Sequence, residues 1–535
     1  MSSNNTPETP GTAQFPETPG VDGDMARAVS SANPLQQIHQ VRVRAFSAPA
    51  VQDEMADDLS QPDALLVLKT NNGLGKPTQS CLEALDIQLP GNVKAQAGDL
   101  TYAGTFGGLS TLVAEMGSIG NARHLRDAFI KLTQNLTARG YNNVAIVFDD
   151  LGLDEADEAS PNAVLWEMIY GTQMGAYFPS MKSGDGGKSK RLERVTFAIP
   201  RDVSWHGSLK ERVADLTRLA SNTALGSQYM RQLVQMPPNV MTTKALYRAA
   251  LAIEKMCPAV KVSCEEVTDD APFRLMRAVG RASNQPSFVI TLRYEGDPDA
   301  DLQALIGKGL VYDTGGINLK SNGGAGMKAD MGGSAMVLGT MLAAALNKAE
   351  VNLVAVIGAV CNDIGPNAYR PDDVITAYNG KTVEIINTDA EGRLVMADCL
   401  SYAEEIFRPA RIFSFATLTG AAAVFSGLRA PFFTDDEDLA SKILQDAERA
   451  EEMVIHIPMD DYLKPTVEST IADLRNISSG RECGHTTAAI FLNHFVESTP
   501  YCHFDIAGAC DINPERGGGA FGIPMMMAYF DVDIC

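Results

Sequence analysis

Gly307-Lys308-Gly309-Leu310-Val311-Tyr312-Asp313-Thr314-Gly315-Gly316 reads as an apolar strand that ends in an acid and a double glycine. The same alternation of strand and helix continues outward from it. Met327-Lys328-Ala329-Asp330-Met331-Gly332-Gly333-Ser334 opens a helix rich in Ala, Met and Leu. Leu353 to Val360 is a continuous apolar run of the length of a buried strand, and Phe288–Leu292, Leu305–Tyr312 and Ile412–Phe415 read the same way. Strands buried on both faces and separated by helices give an α/β fold, here a central mixed sheet flanked by helices. Such sheets hold ligands in the loops at the carboxyl ends of their strands, which is where Asp313 falls.

Upstream, short strand-like runs (Ala64–Leu68, Val144–Phe148, Arg194–Ile199) alternate with helical stretches such as Asn121–Leu136, the pattern of a second, smaller α/β domain. The stretch LKERVADLTRLASNTALGSQYMRQLVQ turns helical and stops at Pro237-Pro238, which cannot continue a helix. Residues 1–34 are rich in Pro, Thr, Gly and Asn, repeat the phrase PETPG, and cannot bury enough apolar surface to offset their ordering entropy. The expected organisation is a disordered tail over 1–34, a smaller N-terminal α/β domain over 35–210, a connecting helix and linker over 211–239, and a larger α/β domain over 240–535. Gly184-Asp185-Gly186-Gly187-Lys188-Ser189 imitates the end of a phosphate-binding loop. The full motif needs a glycine where Lys182 stands, so an exposed loop is the better reading.

Composition narrows the function classes. Of 535 residues, 45% are apolar and 21% charged, as in a soluble protein with a large core. Acidic side chains outnumber basic ones, 66 against 44, and the formal charge of −22 argues against bulk attraction to nucleic acid or an anionic membrane. Nine scattered cysteines form no CxxC pair, which fits a reducing compartment. The first residues lack a basic region followed by an apolar one, and no apolar run is long enough to span a membrane, so a cytoplasmic protein is expected.

The densest chemistry lies in Asn387-Thr388-Asp389-Ala390-Glu391-Gly392-Arg393-Leu394. Asp389 and Glu391 are two apart, so on an extended segment they share a face. Two carboxylates pressed together repel unless cations compensate, and a bound metal is the plain compensation. Gly392 permits a tight turn, and the helical text after it sets Arg393 at a helix start, where backbone N–H groups and a guanidinium make an anion site. Lys308 and Asp313 are five apart, which faces them oppositely on a straight strand; they converge only if the flanking glycines bend the chain. A lone DTGG also suits half of an aspartic protease, but the partner DTG is missing. None of the seven histidines stands at HExxH or another ligand spacing, and His485, His494 and His503 read as structural. Four acids (Asp313, Asp330, Asp389, Glu391), two lysines (Lys308, Lys320) and Arg393, all in glycine-rich turns, therefore point to a metal-dependent centre.

The segments GKGLVYDTGG, GMKADMGG, NTDAEGRLVMAD and ATLTGA (Ala416–Ala421) resemble the signature segments of the leucyl aminopeptidase (cytosol aminopeptidase) family. RQLVQMPPNV resembles the linker of that family, and SGRECGHTTAAIFL and HFDIAGA resemble its C-terminal segments, so the likeness runs from about 230 to 527. The wording YDTGG and GPNAYRPDDV leans toward the family's "probable aminopeptidase-like" branch.

The resemblance implies a catalytic domain over 240–535 and a role for each matching residue. Lys308, Asp313, Asp330, Asp389 and Glu391 would be metal ligands, with Asp313 and Glu391 bridging two divalent ions, zinc and/or manganese. Lys320 and Arg393 would be the catalytic pair, one polarising the scissile carbonyl and the other holding a bicarbonate-like anion that accepts the water proton. Met327, Thr417, Gly420, Ala507 and Cys510 would line the pocket for the N-terminal side chain, Leu- or Met-like by their apolar character. The substrates implied are peptides, and the assembly a homohexamer. The chain departs from the family pattern where Cys361 replaces an acid beside Asn362, and where Ala520-Phe521-Gly522-Ile523-Pro524 lacks an arginine. Two other readings stand beside the metal-dependent aminopeptidase. A catalytically silent interaction protein on the same scaffold would be expected to have lost a ligand or the Lys/Arg pair. Nucleic-acid-binding regulation is disfavoured by the acidic balance.

Overall fold

The computed structural model describes residues 42–48, 62–70, 96–106, 109–117, 122–147, 161–177, 192–200, 212–480, 483–510 and 519–533. The PETPG-containing segment 1–34 and the loop Gly184–Ser189 lie outside the described residues. Chain contacts divide the molecule into two compact units that are discontinuous in sequence. One holds Tyr229–Ala447 and Met453–Ile523; the other holds Ile38–Gln228, Glu448–Glu452 and Pro524–Cys535. The division falls inside the helix Val213–Gln235, the stretch read as helical before Pro237.

The N-terminal unit is α/β. Its strands are β1 (Arg42–Ala48), β2 (Ala64–Thr70), β3 (Leu100–Phe106), β4 (Leu109–Gly117), β5 (Asn143–Val147) and β6 (Arg194–Pro200), in the order β1-β6-β5-β2-β4-β3. All run parallel except β3, which closes one edge antiparallel to β4. The helices Ala122–Ala138 and Pro161–Ala176 pack on each other and are joined by a buried pair, Arg126 donating to Glu167 at 2.6 and 2.7 Å.

The second unit is built on the mixed sheet expected from its sequence. Its strands are β7 (Val260–Glu266), β8 (Phe288–Glu295), β9 (Leu302–Asp313), β10 (Asn352–Asn362), β11 (Val374–Thr376), β12 (Thr382–Glu384), β13 (Arg411–Ala416), β14 (Ala430–Phe433), β15 (Val454–His456), β16 (Leu474–Arg475) and β17 (Tyr501–Asp505). Eight of them make the main sheet, β15-β14-β17-β13-β9-β10-β8-β7, and β11-β12-β16 form a small one beside it. The middle run β17-β13-β9-β10 is parallel throughout, so these four strands end at one edge.

Alternation along β9 decides which side chains meet. Ala304, Ile306 and Leu310 join a core that includes Leu394, Val395 and Leu400 of the helix Gly392–Phe407. On the other face Gly307 meets the helix Gly332–Asn347, so closely that a Cβ on it would lie 2.7 Å from Ser334 Cα. Lys308 thus belongs to the face that looks toward Gly392.

Candidate metal centre

β9 ends on Asp313 and β10 on Asn362, β13 runs into Thr417, and β17 ends on Asp505. Lys308 and Asp313 do converge, but not through a glycine bend. Leu310 pairs with Val360, and the register then slips so that Tyr312 pairs with Cys361 and Asp313 with Asn362. Val311 is the extra residue of a β-bulge, and one inserted residue reverses the alternation, bringing two positions an odd number apart onto the same face. Gly307 and Gly309 stay within the strand.

The NTDAEGRL segment also differs from the extended form expected of it. Thr388 and Asp389 form a turn, closed by Asn387 Oδ1 accepting from Asp389 N–H at 2.8 Å, and Glu391 already has helical dihedrals (φ −76°, ψ −36°). The two acids share a side because the chain turns, not because a strand alternates. Gly392 likewise serves space rather than a turn, as the first residue of its helix packed against Lys308.

The result is a compact charge cluster. Oxygens of Asp313, Asp389 and Glu391 lie within 4.8 Å of one another. Lys320 Nζ stands 2.6 Å from Asp313 Oδ2 and 2.6 Å from Asp389 Oδ1. Lys308 Nζ stands 2.6 Å from Asp330 Oδ1 and 3.2 Å from Glu391 Oε1, and donates to the Thr417 carbonyl oxygen at 3.0 Å. Asp313 Oδ1 accepts from Gly315 N–H at 2.8 Å and Asn362 Nδ2 at 2.7 Å. Lys308, Asp313 and Glu391 are at most 2% exposed.

Burial at this density shifts the ionisations. Burial, with Asp313 next, pushes the Glu391 carboxyl up to about 8. Burial raises Asp330 to about 6 against the pull of Lys308, and raises Asp389 as well. Burial works against both ammonium groups, yet the acids outweigh it: Asp330 with Glu391 for Lys308, and Asp313 for Lys320, so both lysines are held above their ordinary value. The donor set suits divalent cations. Asp330 Oδ2 and Glu391 Oε2 are buried with no hydrogen-bond partner among the described residues, and carboxylate oxygens with one nitrogen donor are what Zn²⁺ and Mn²⁺ accept.

Arg393 sits at the helix start, as its position in the sequence suggested. It is buried, one guanidinium nitrogen donates to the Asn476 carbonyl oxygen at 2.9 Å, and Nε has no partner among the described residues. Burial lowers it to about 10, against Glu391 and Asp505, so it stays a cation at neutral pH. Of the expected pocket residues, Thr417 and Cys510 meet over Gly332, where a Cβ would lie 2.9 Å from Thr417 Cγ2 and 2.9 Å from Cys510 Sγ. Thr417 Oγ1 also donates to Asp330 Oδ1 at 3.1 Å. Met327 opens a short 3-10 turn and its carbonyl accepts from Asp330 N–H at 3.2 Å. Gly420 begins the helix Gly420–Ser426 beside open space, and Ala507 N–H donates to Asp505 Oδ1 at 3.2 Å.

Three residues that support the centre carry no charge pattern to mark them in the sequence: Asn362, Thr388 and Asn476. Asn362 offered one signal, a polar residue closing a long apolar run. The described histidines stay outside the acid group; His503 is buried and hydrogen-bonded through Nδ1 to Ser414 Oγ at 2.8 Å.

An acid-and-lysine centre at the strand ends of an α/β sheet is the arrangement of a metal-dependent hydrolase. Comparison with known proteins says which kind. Residues 228–528 match the catalytic domain of the cytosol aminopeptidase family. A probable cytosol aminopeptidase of Agrobacterium fabrum is 35% identical over 395 residues, 72% of this chain and 77% of its own length. One from Clostridium tetani is 38% identical over 60% of this chain and 68% of its own. One from Alkaliphilus oremlandii is 33% identical over 459 residues, 82% of this chain and 90% of its own. The chain belongs to the cytosol aminopeptidase family, and is thereby a hydrolase of the metallo-aminopeptidase class. Among the described residues no helix is long and apolar enough to cross a membrane.

Proposed function

We propose that this chain removes the N-terminal residue of peptides, Leu- or Met-like residues preferred, by metal-dependent hydrolysis at the carboxyl ends of β9, β10, β13 and β17. The supporting observation is the approach of oxygens of Asp313, Asp389 and Glu391 to within 4.8 Å of one another beside the end of β9, a crowding that cations must compensate. Lys308, Asp313, Asp330, Asp389 and Glu391 would hold two divalent ions, zinc and/or manganese. Such ions supply Lewis acidity and a water that ionises near neutral pH. Lys308 can join the set only as the neutral amine.

The remaining work falls to the chain's own groups. Lys320, kept an ammonium by Asp313 and Asp389, would donate a hydrogen bond to the scissile carbonyl and stabilise its developing negative charge. Arg393, with Nε unengaged, would hold a bicarbonate-like anion as acceptor for the water proton. The carboxylates would receive the free α-amine of the peptide, which limits cleavage to chain ends. Met327, Thr417, Gly420, Ala507 and Cys510 would shape the pocket for the first side chain. A homohexamer and a cytoplasmic location belong to the same reading, carried over from the family likeness.

The test is hydrolysis of Leu-amide by the purified protein with Mn²⁺ or Zn²⁺, after chelation, and with Asp389→Ala. Activity that survives both chelation and the substitution sinks the metal-dependent reading. A panel of aminoacyl-amides favouring Arg or Asp sinks the side-chain preference.

A further inference from the structure

The acids of the centre come from separate turns, and the Lys320–Asp389 ion pair is one tie between them. Thr388 joins two of them, the turn after Asp313 and its own turn before Asp389 and Glu391. It is fully buried. Its hydroxyl donates to the Gly315 carbonyl oxygen at 2.7 Å and accepts from Asn318 N–H at 2.9 Å, while its own N–H donates to Asn318 Oδ1 at 2.8 Å. Its carbonyl oxygen accepts from Asn362 Nδ2 at 3.1 Å and from the Tyr369 hydroxyl at 2.7 Å. Asn362 uses the same amide nitrogen to hold Asp313 Oδ1 at 2.7 Å.

The double glycine is what lets the two turns interlock. Gly315 and Gly316 have φ of +89° and +63°. A Cβ on Gly315 would lie 2.9 Å from Asp389 Oδ1, and one on Gly316 would lie 2.9 Å from Thr388 Oγ1. The turn carrying Asp313 and Lys320 is therefore pressed directly onto the turn carrying Asp389 and Glu391, with the Thr388 hydroxyl between them.

We propose that Thr388 is a positioning residue: its hydroxyl clasps the Asp313–Lys320 turn to the Asp389–Glu391 turn and so sets the acids at the spacing that divalent cations require. The proposal rests on the metal-dependent reading above. Outer residues that orient a ligand set typically change metal affinity or activity by about 10- to 100-fold when altered.

Thr388→Val keeps the shape and removes the hydroxyl; Thr388→Ser keeps the hydroxyl. The measurements are Mn²⁺ titration calorimetry on chelator-stripped protein, Leu-amide kinetics, and thermal unfolding in chelator. Thr388→Val is expected to bind Mn²⁺ about 10- to 100-fold more weakly, and Thr388→Ser to stay close to wild type. Should the valine variant not fold, Asn318→Ala, at an exposed position, opens the same clasp from its other side and is expected to weaken Mn²⁺ binding too. Folded Thr388→Val or Asn318→Ala protein that binds Mn²⁺ as tightly as wild type overturns the proposal, as does a serine variant no better than the valine one. Wild-type protein that neither binds Mn²⁺ nor hydrolyses Leu-amide defeats the functional reading itself, a separate result from wild-type binding that the variants retain.

Discussion

A Cβ placed on Gly392 would lie 2.3 Å from Lys308 Cε and 2.7 Å from its Nζ, so the first residue of the helix and the lysine of β9 share a space that admits no further carbon. Lys308 cannot step aside easily, since Asp330, Glu391 and the Thr417 carbonyl already hold its ammonium. Gly392→Ala is expected to cost about 1–3 kcal/mol of stability through overpacking. The displaced lysine is expected to lower kcat/KM by about 100-fold, the scale of a 1 Å misplacement in an active site. Urea unfolding and Leu-amide kinetics check both; activity within twofold of wild type would show that Lys308 tolerates displacement.

Lys320 is expected to act late in the reaction coordinate. Lys320→Met should lower kcat by about 100- to 1000-fold, the range for removing one donor to a developing oxyanion, while KM changes little. A rise in KM with kcat intact would assign Lys320 to binding instead.

Asp505 holds the loop that carries Thr417 and Gly420. Its Oδ1 accepts from the N–H groups of Leu418, Thr419 and Ala507, and its Oδ2 accepts from the Thr419 hydroxyl at 2.7 Å. Asp505→Ala leaves part-buried donors unmatched, below the about 1–3 kcal/mol that each fully buried one would cost. Asp505→Asn keeps an acceptor for the backbone donors and should be milder. KM for Leu-amide is expected to rise in the alanine variant more than in the asparagine one. Equal kinetics in both would show that the pocket does not depend on this loop.

His503 predicts an acid sensitivity. Burial, with Arg393 next, lowers its pKa from 6.5 to about 3, so the native ring stays neutral while the unfolded ring takes a proton below pH 6.5. The unfolded state then binds more protons, and stability falls as pH drops from 6.5 toward 3, with no effect above 6.5. His503→Gln should remove about 1–2 kcal/mol of the stability difference between pH 6.5 and pH 5. Urea unfolding of both proteins at the two pH values gives the comparison; identical pH dependence in the two would mean that His503 does not titrate as described.

Much of this could be read from the chain before folding. The apolar run ending at Asp313 and the helical text after Arg393 gave the strand, the helix and the charged residues at their junctions. Two kinds of feature could not be read. The bulge at Val311 is a property of pairing between β9 and β10, and no residue in β9 alone announces it, so the meeting of Lys308 with Asp313 could be required but not explained. Thr388, Asn362 and Asn476 act through backbone carbonyls and amides of distant turns, and a hydroxyl or carboxamide in a glycine-rich stretch looks the same whether it caps a turn or clasps two. In the N-terminal unit the edge pair LTYAGTF and LSTLVAEMG mixes small and polar residues with apolar ones, which hid β3 and β4 from a search for apolar runs.

The place of β17 has a consequence for synthesis. Among the described strands it is the last in chain order, yet it lies in the interior of the main sheet, hydrogen-bonded to β13, and brings Asp505 to the loop beside Lys308. A nascent chain that already displays every proposed ligand still lacks the wall that shapes them. A hydrolase so ordered cannot trim its neighbours before Asp505 has emerged, since β17 follows every proposed ligand along the chain.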